Sequence, residues 1–210
     1  MKAFCHLAGL DADAWLRMIE TVPVPQADSN WVEEPLYRIA DYLVADHRSF
    51  RQTDLRHIDL LLDMHSSPIY PDVYLLKQAY QSFKTFEESF LEHIHEEDVR
   101  IFPHILRLEA CERNPVLHPL THNLSIKTFF DTQGHTAGAL LQRLIDEIIE
   151  KVREHEEQEN DVLTTEKLFT ALENFERHVD RHAEIETGIF FPRAMEIEKR
   201  LFAGGAEIIR

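Results

Sequence analysis

The stretch HAEIETGIFFP, His182–Pro192, has an echo 89 residues earlier in HIHEEDVRIFP, His93–Pro103. In each copy a Glu follows a His at a spacing of four, and the copy closes on Phe-Pro. On a helix that spacing stacks the two side chains on one face, one turn apart. An imidazole and a carboxylate held this way form a two-point claw for a transition metal. Each claw continues an apolar line: Ala79, Phe83, Phe86 and Phe90 lead to His93, and Leu168, Leu172, Phe175 and Val179 lead to His182. Glu97 and Glu186 are therefore aimed into a core, where an unpaired carboxylate is costly. A bound cation resolves that conflict.

Outward from the two claws, the chain reads as helix nearly everywhere. It has only six glycines and few alternating β-branched runs. Helix A is expected from about Val32–Glu34, with Pro35 in its first turn, to about His65. Its apolar line is Leu36, Ile39, Ala40, Leu43, Phe50, Ile58 and Leu61, and His47 falls on it. After the breaker SSPIYPD, helix B runs from Asp72, a good N-cap, to a kink or end at Pro103. Residues 110–122 hold two prolines and little periodicity, and read as a loop. Helix C starts near Thr121–Ser125 and continues to about Glu157; helix D runs from about Thr164 to Phe191, with a terminal extension beyond it. Four long amphipathic segments joined by short connections predict an all-α, antiparallel four-helix bundle over residues 32–200. Residues 1–31 read as a short N-terminal helical appendage and linker, and 201–210 as a tail.

Residues at one height in an antiparallel helix pair are equidistant from the turn. With the A–B turn near residue 68, His47 lies about 21 residues before it and His93 about 25 after, a mismatch of only ~6 Å. With the C–D turn near residue 160, His135 lies about 25 residues before and His182 about 22 after. His47, His93, His135 and His182 thus share one level on four helices, with Glu97 and Glu186 one turn further along. One claw alone would read as a buried His–Glu hydrogen bond. Two claws and two level histidines make a dinuclear metal site the better account, with the carboxylates as bridges. His65, beside the turn, falls roughly 30 Å from that level and is left out. His178, one turn before His182, is either a further ligand or a support behind the ligands. His95 and Glu96 point elsewhere on helix B. Imidazole and carboxylate without thiolate suit non-haem iron or manganese, whereas a closed zinc site would often include Cys. Ferritin-like di-iron bundles use Glu-x-x-His, the reverse order at a spacing of three.

Composition narrows the classes further. Lys and Arg number 22 against 38 Asp and Glu, a net charge of −16, which argues against nucleic acid and anionic membrane surfaces. Cys5 and Cys111 form no paired motif, so a reducing cytoplasm fits best. Asp11 and Asp13 interrupt the apolar stretch after Lys2, so the start does not read as a signal peptide, and no run approaches membrane-spanning length.

His47 with Arg51 four residues later, the claw HIHEEDVRIFP, the His135-containing start of helix C and HAEIETGIFFPR together resemble the hemerythrin-like HHE cation-binding family. The closest branch is similar to the di-iron proteins for repair of iron centres under nitrosative and oxidative stress. The resemblance covers about residues 31–200 and implies two non-haem iron ions with carboxylate, and oxo or hydroxo, bridges. Two departures stand out. Only Cys5 occurs where family members often carry a paired-cysteine N-terminal domain, and Gly134 precedes His135 where the family commonly has Glu. The function expected is iron-centre repair or iron donation, or a response to NO and oxidants. Its partners would be a small diatomic ligand (O2 or NO) or an iron-accepting protein. The alternatives are a hemerythrin-type O2 binder or sensor and, on the same scaffold, an NO or peroxide reductase. A purely structural bundle fits the two claws least.

Overall fold

The computed structural model describes residues 30–65, 74–114, 125–134, 143–150, 153 and 162–204. Every regular element among them is helical, as the sequence predicts. Helix α1 comprises Leu36–Ser49, Phe50–Asp54 and Leu55–His65; helix α2 comprises Tyr74–Glu96, Glu97–Ile101 and Phe102–Arg113. Helix α3 comprises Ile126–Phe129 and Phe130–Gly134, residues 143–150 are helical, and helix α4 comprises Val162–Ile185, Glu186–Phe190 and Phe191–Gly204. No helix among the described residues is long and apolar enough to cross a membrane. The expected appendage lies outside the described residues except for its last two positions.

Two differences from the sequence reading share one cause. Helix α2 passes through Pro103 to Arg113, and α4 passes through Pro192 to Gly204. An interior proline normally breaks a helix, because it lacks an N–H and its ring strikes the carbonyl four residues back. Here each proline follows a single π-helical turn, Glu97–Ile101 or Glu186–Phe190. Within these turns the Phe102 N–H donates to the Glu97 carbonyl and the Phe191 N–H to the Glu186 carbonyl, five residues back. The widened turn makes room for the proline, and the helix resumes. A third such turn, Phe50–Asp54, interrupts α1 just after His47. Phe130–Gly134 makes a fourth in α3. Turns of this kind are rare, and they concentrate at functional sites.

The chain divides into two compact units. The first takes its described residues from Met1–Ala45, Ile94–Gly134 and Ala183–Arg210. Its core gathers Leu36, Ile39, Leu43, Phe102, Ile105, Phe129, Phe190, Phe191 and Ala194, with Trp31 packed in and its ring 4.6 Å from that of Tyr42. Trp31 therefore belongs to the core and not to a linker. Two buried carboxylates hold helix starts here. Glu109 accepts from the backbone N–H groups of Leu36 (3.0 Å) and Tyr37 (3.2 Å), and Glu198 accepts from that of Ile126 (3.3 Å). The first turns of α1 and α3 have N–H groups with no partner inside the helix, and a carboxylate there meets both the donors and the helix dipole. Arg193 adds bonds to the Trp31 carbonyl (3.2 Å) and the Glu34 carbonyl (2.5 Å). Glu109 and Glu198 each lie 12 residues beyond a claw glutamate, so the 89-residue echo extends well past Phe-Pro.

The second unit takes its described residues from Asp46–His93 and His135–His182. Its core is aromatic: Phe50 lies edge-on to Phe90 (5.5 Å) and Phe175 (5.9 Å), and Phe86 stacks on Phe90 (5.3 Å). Edge-to-face pairs at these spacings are the favoured arrangement.

Truncating either capping carboxylate leaves two N–H donors, or one, buried at a helix start. Glu109→Ala and Glu198→Ala should each lower the unfolding free energy by roughly 1–3 kcal/mol in urea titration. Gly188 is exposed within a π-helical turn, and a Cβ there would meet nothing within 4 Å. Gly188→Ala should therefore stabilise by about 0.4–1 kcal/mol in the same measurement.

Candidate metal centre

His47 reaches the interior from the last turn before the first π-helical segment, and His182 reaches it from the last turn before Glu186. Both rings are buried, and their Nε2 atoms lie 3.2 Å apart. Two nitrogens bound at about 2.1 Å to one ion, at angles of about 90–110°, would stand about 3.0–3.4 Å apart. The observed spacing fits joint ligation of a single ion. The ligand atoms of His47, Glu97 and His182 all lie within 4.8 Å of one another, and all three residues are buried.

Glu97 and Glu186 form a buried pair, each opening its π-helical turn. Burial, and then the Glu186 charge beside it, hold the Glu97 carboxyl well above the usual carboxylate range. Without a cation, burial and the neighbouring charge favour the protonated form of Glu97. With a divalent or trivalent ion beside it, both carboxylates can stay ionised. His93, one turn before Glu97, is half-buried, and burial together with the nearby His182 ring pushes it down to about 4. It is thus neutral at ordinary pH, with a lone pair to offer. His135 lies outside the described residues.

The histidine left open by the sequence reading, His178, points to carboxylates instead. Its Nδ1 lies 3.0 Å from Asp54 Oδ2 and its Nε2 3.3 Å from Asp46 Oδ1. Both ring nitrogens thus face carboxylate oxygens, not the His47–His182 pair; the interaction with Asp46 is the main cause of its raised pKa. Asp46 Oδ2 in turn lies 3.5 Å from His182 Nδ1. Burial pushes the Asp46 carboxyl up, but the neighbouring His178 and His182 imidazoles outweigh it and hold the group at about 2. His95 and His57 are exposed, and Glu96 is half-buried and paired with Arg100.

Comparison with protein-family models gives no match, and comparison with curated proteins gives none.

The buried carboxylate and imidazole side chains among the described residues therefore sort into two sets. His47, Glu97, His182, Glu186 and Asp46 belong to the cluster, whereas Glu109, Glu198 and His104 sit at the helix-start caps, with His104 Nε2 3.9 Å from Glu198. Asp46 and Asp54 escaped the sequence reading, since an Asp beside a helix histidine looks like any surface acid. Glu109 and Glu198 could have been found by carrying the 89-residue echo 12 residues further.

The shifted groups shape the pH profile of the metal-free protein. Asp41 is held at about 6 against an ordinary 3.8, mainly by burial, and Glu97 is also raised. Groups raised on folding favour the folded state below their ordinary pKa, and that advantage is lost as pH rises through the folded value. Asp46 is lowered to about 2, so its contribution is present above 3.8 and lost as pH falls toward 2. His93, lowered from 6.5 to about 4, works the other way: its contribution is present above 6.5 and lost as pH falls toward 4, which offsets Asp41 over that range. The raised Glu97 carboxyl then leaves metal-free protein weakening toward neutrality. Urea midpoints measured across pH 2–8 check this, and Glu97→Gln should flatten the neutral limb.

Proposed function

We propose that this chain is a non-haem di-iron protein of the hemerythrin-like class, its helices forming an antiparallel four-helix bundle. On this reading it acts in iron-centre repair or iron donation, or in the response to NO and oxidants. The observation that carries the reading is the buried group of His47, Glu97 and His182, with facing imidazole nitrogens 3.2 Å apart. His47, His182 and Glu97 would hold one ion; Glu186 and His93, with His135, would complete the pair, and the two glutamates would bridge. Oxygen and imidazole donors without thiolate suit iron, and manganese by the same chemistry. Bound there, the iron pair would supply redox capacity and coordination positions open to a small diatomic ligand. Of the chain's own residues, Phe50 packs against the His182 ring and is itself walled by Phe90 and Phe175, and the imidazoles and carboxylates are buried.

Iron release is favoured over stable oxygen carriage by a count of donors. Four histidines divided over two ions leave each ion few protein bonds, and His178, committed to Asp46 and Asp54, adds no fifth. Fewer protein bonds to break means faster exchange with water and chelators. A hemerythrin-type O2 binder is the second reading, on the same donor set.

Protein purified without air should contain about two iron atoms per chain. His47→Ala and Glu186→Ala should lose iron, and His57→Ala should not. The reduced protein should react with NO and O2 and lose iron to a chelator within minutes to hours. Reversible O2 uptake with negligible iron loss would favour the second reading, and full iron retention in Glu186→Ala would remove the bridging role.

A further inference from the structure

We propose that Asp46, held from outside by His178 and Asp54, keeps the proton of His182 on Nδ1 and so presents its Nε2 lone pair to the metal. This role rests on the metal-centre reading above. The four residues form one alternating line: Asp54 Oδ2 to His178 Nδ1 (3.0 Å), His178 Nε2 to Asp46 Oδ1 (3.3 Å), Asp46 Oδ2 to His182 Nδ1 (3.5 Å). At its inner end, His182 Nε2 faces His47 Nε2. A neutral imidazole carries one proton on either nitrogen, and in water the two forms interconvert freely. A carboxylate facing Nδ1 selects the form with the proton there, since only that form offers it a donor. The selected form has its lone pair on Nε2, the atom that faces His47.

An aspartate on a flexible side chain could turn away from His182. Here its other oxygen is engaged by His178, and that ring is pinned by Asp54 on its far side. The Phe50 ring packs against both imidazoles, 4.4 Å from His178 and 5.4 Å from His182, which holds their planes. Phe50 opens the π-helical turn of α1, and Asp54 closes it. The widened turn thus supplies the ring that locks the histidines and the carboxylate that anchors the line. Asp46 and Asp54 lie eight residues apart on α1, and His178 and His182 lie one turn apart on α4, so the line needs only these two helices.

Asp46, His178 and Asp54 are accordingly positioning residues, and two readouts on the full chain test them. In metal-free protein, the 15N shifts of labelled imidazoles, assigned with His182→Gln, should show His182 protonated on Nδ1. Asp46→Ala should give a mixture of forms or the opposite one. Asp46→Asn should keep the proton on Nδ1, because its carbonyl oxygen still accepts. Fe(II) affinity, measured by chelator competition, should fall roughly 10–100-fold in Asp46→Ala and recover most of the way in Asp46→Asn. Should Asp46→Ala fail to fold, His178→Gln and Asp54→Asn, both at half-buried positions, should loosen the proton placement and weaken Fe(II) binding in the same direction. His182 protonated on Nε2 in the unaltered protein would overturn the proposal, as would an Asp46→Ala affinity within twofold of it. Absence of Fe(II) binding by the unaltered protein, with the proton still on Nδ1, would instead overturn the metal-centre reading and leave the proton placement standing.

Discussion

Burying two carboxylates side by side is the constraint on which the rest of this chain depends. Glu97 and Glu186 sit in surroundings that favour their neutral form, and each raises the cost of ionising the other. A fold assembled for stability alone would put apolar residues there, since a well-packed apolar replacement for buried charge is often neutral or stabilising. The chain instead spends three lines of apolar residues to aim polar groups at one place. Such an arrangement makes physical sense when a cation completes it.

The backbone carries a second sign of the same constraint. Each claw glutamate opens a π-helical turn, and the amide five residues on returns to its carbonyl. Inserting one residue into a turn rotates everything after it by about 100° around the helix axis. A helix can thereby point a polar claw inward and still bring its apolar face back to the core afterwards. Phe102 and Phe191, the residues directly after these turns, are both fully buried. The Phe-Pro closure of each claw reads in this light as the end of a wide turn, not the end of a helix.

The carboxylates of this protein divide by what they touch. Glu109 and Glu198 meet backbone N–H groups at helix starts, which gives a buried carboxylate hydrogen-bond donors without a metal. Asp46 and Asp54 meet imidazoles, and through them reach His182. Among the buried carboxylates of the described residues, Glu97 and Glu186 are the pair set against each other. That separation ties the case for a metal to two residues.

Helical class, the helix-sized apolar periodicity, the repeated claws and the candidate ligands His47, Glu97, His182 and Glu186 were all legible in sequence. They follow from spacing along a single helix, which is a local property. The wide turns were not legible, because the choice between four- and five-residue hydrogen bonding depends on what the neighbouring helices require. For the same reason Pro103 and Pro192 read as helix ends: local rules assign proline to a boundary, and only the finished packing shows a helix continuing past it. Asp46 and Asp54 look like solvated acids until α1 and α4 come together and His178 turns to meet them. Spacing could place His178 on the face of His182. Whether it offers a lone pair to a metal or a proton to a carboxylate was decided by the partners that tertiary structure put within reach of its two nitrogens.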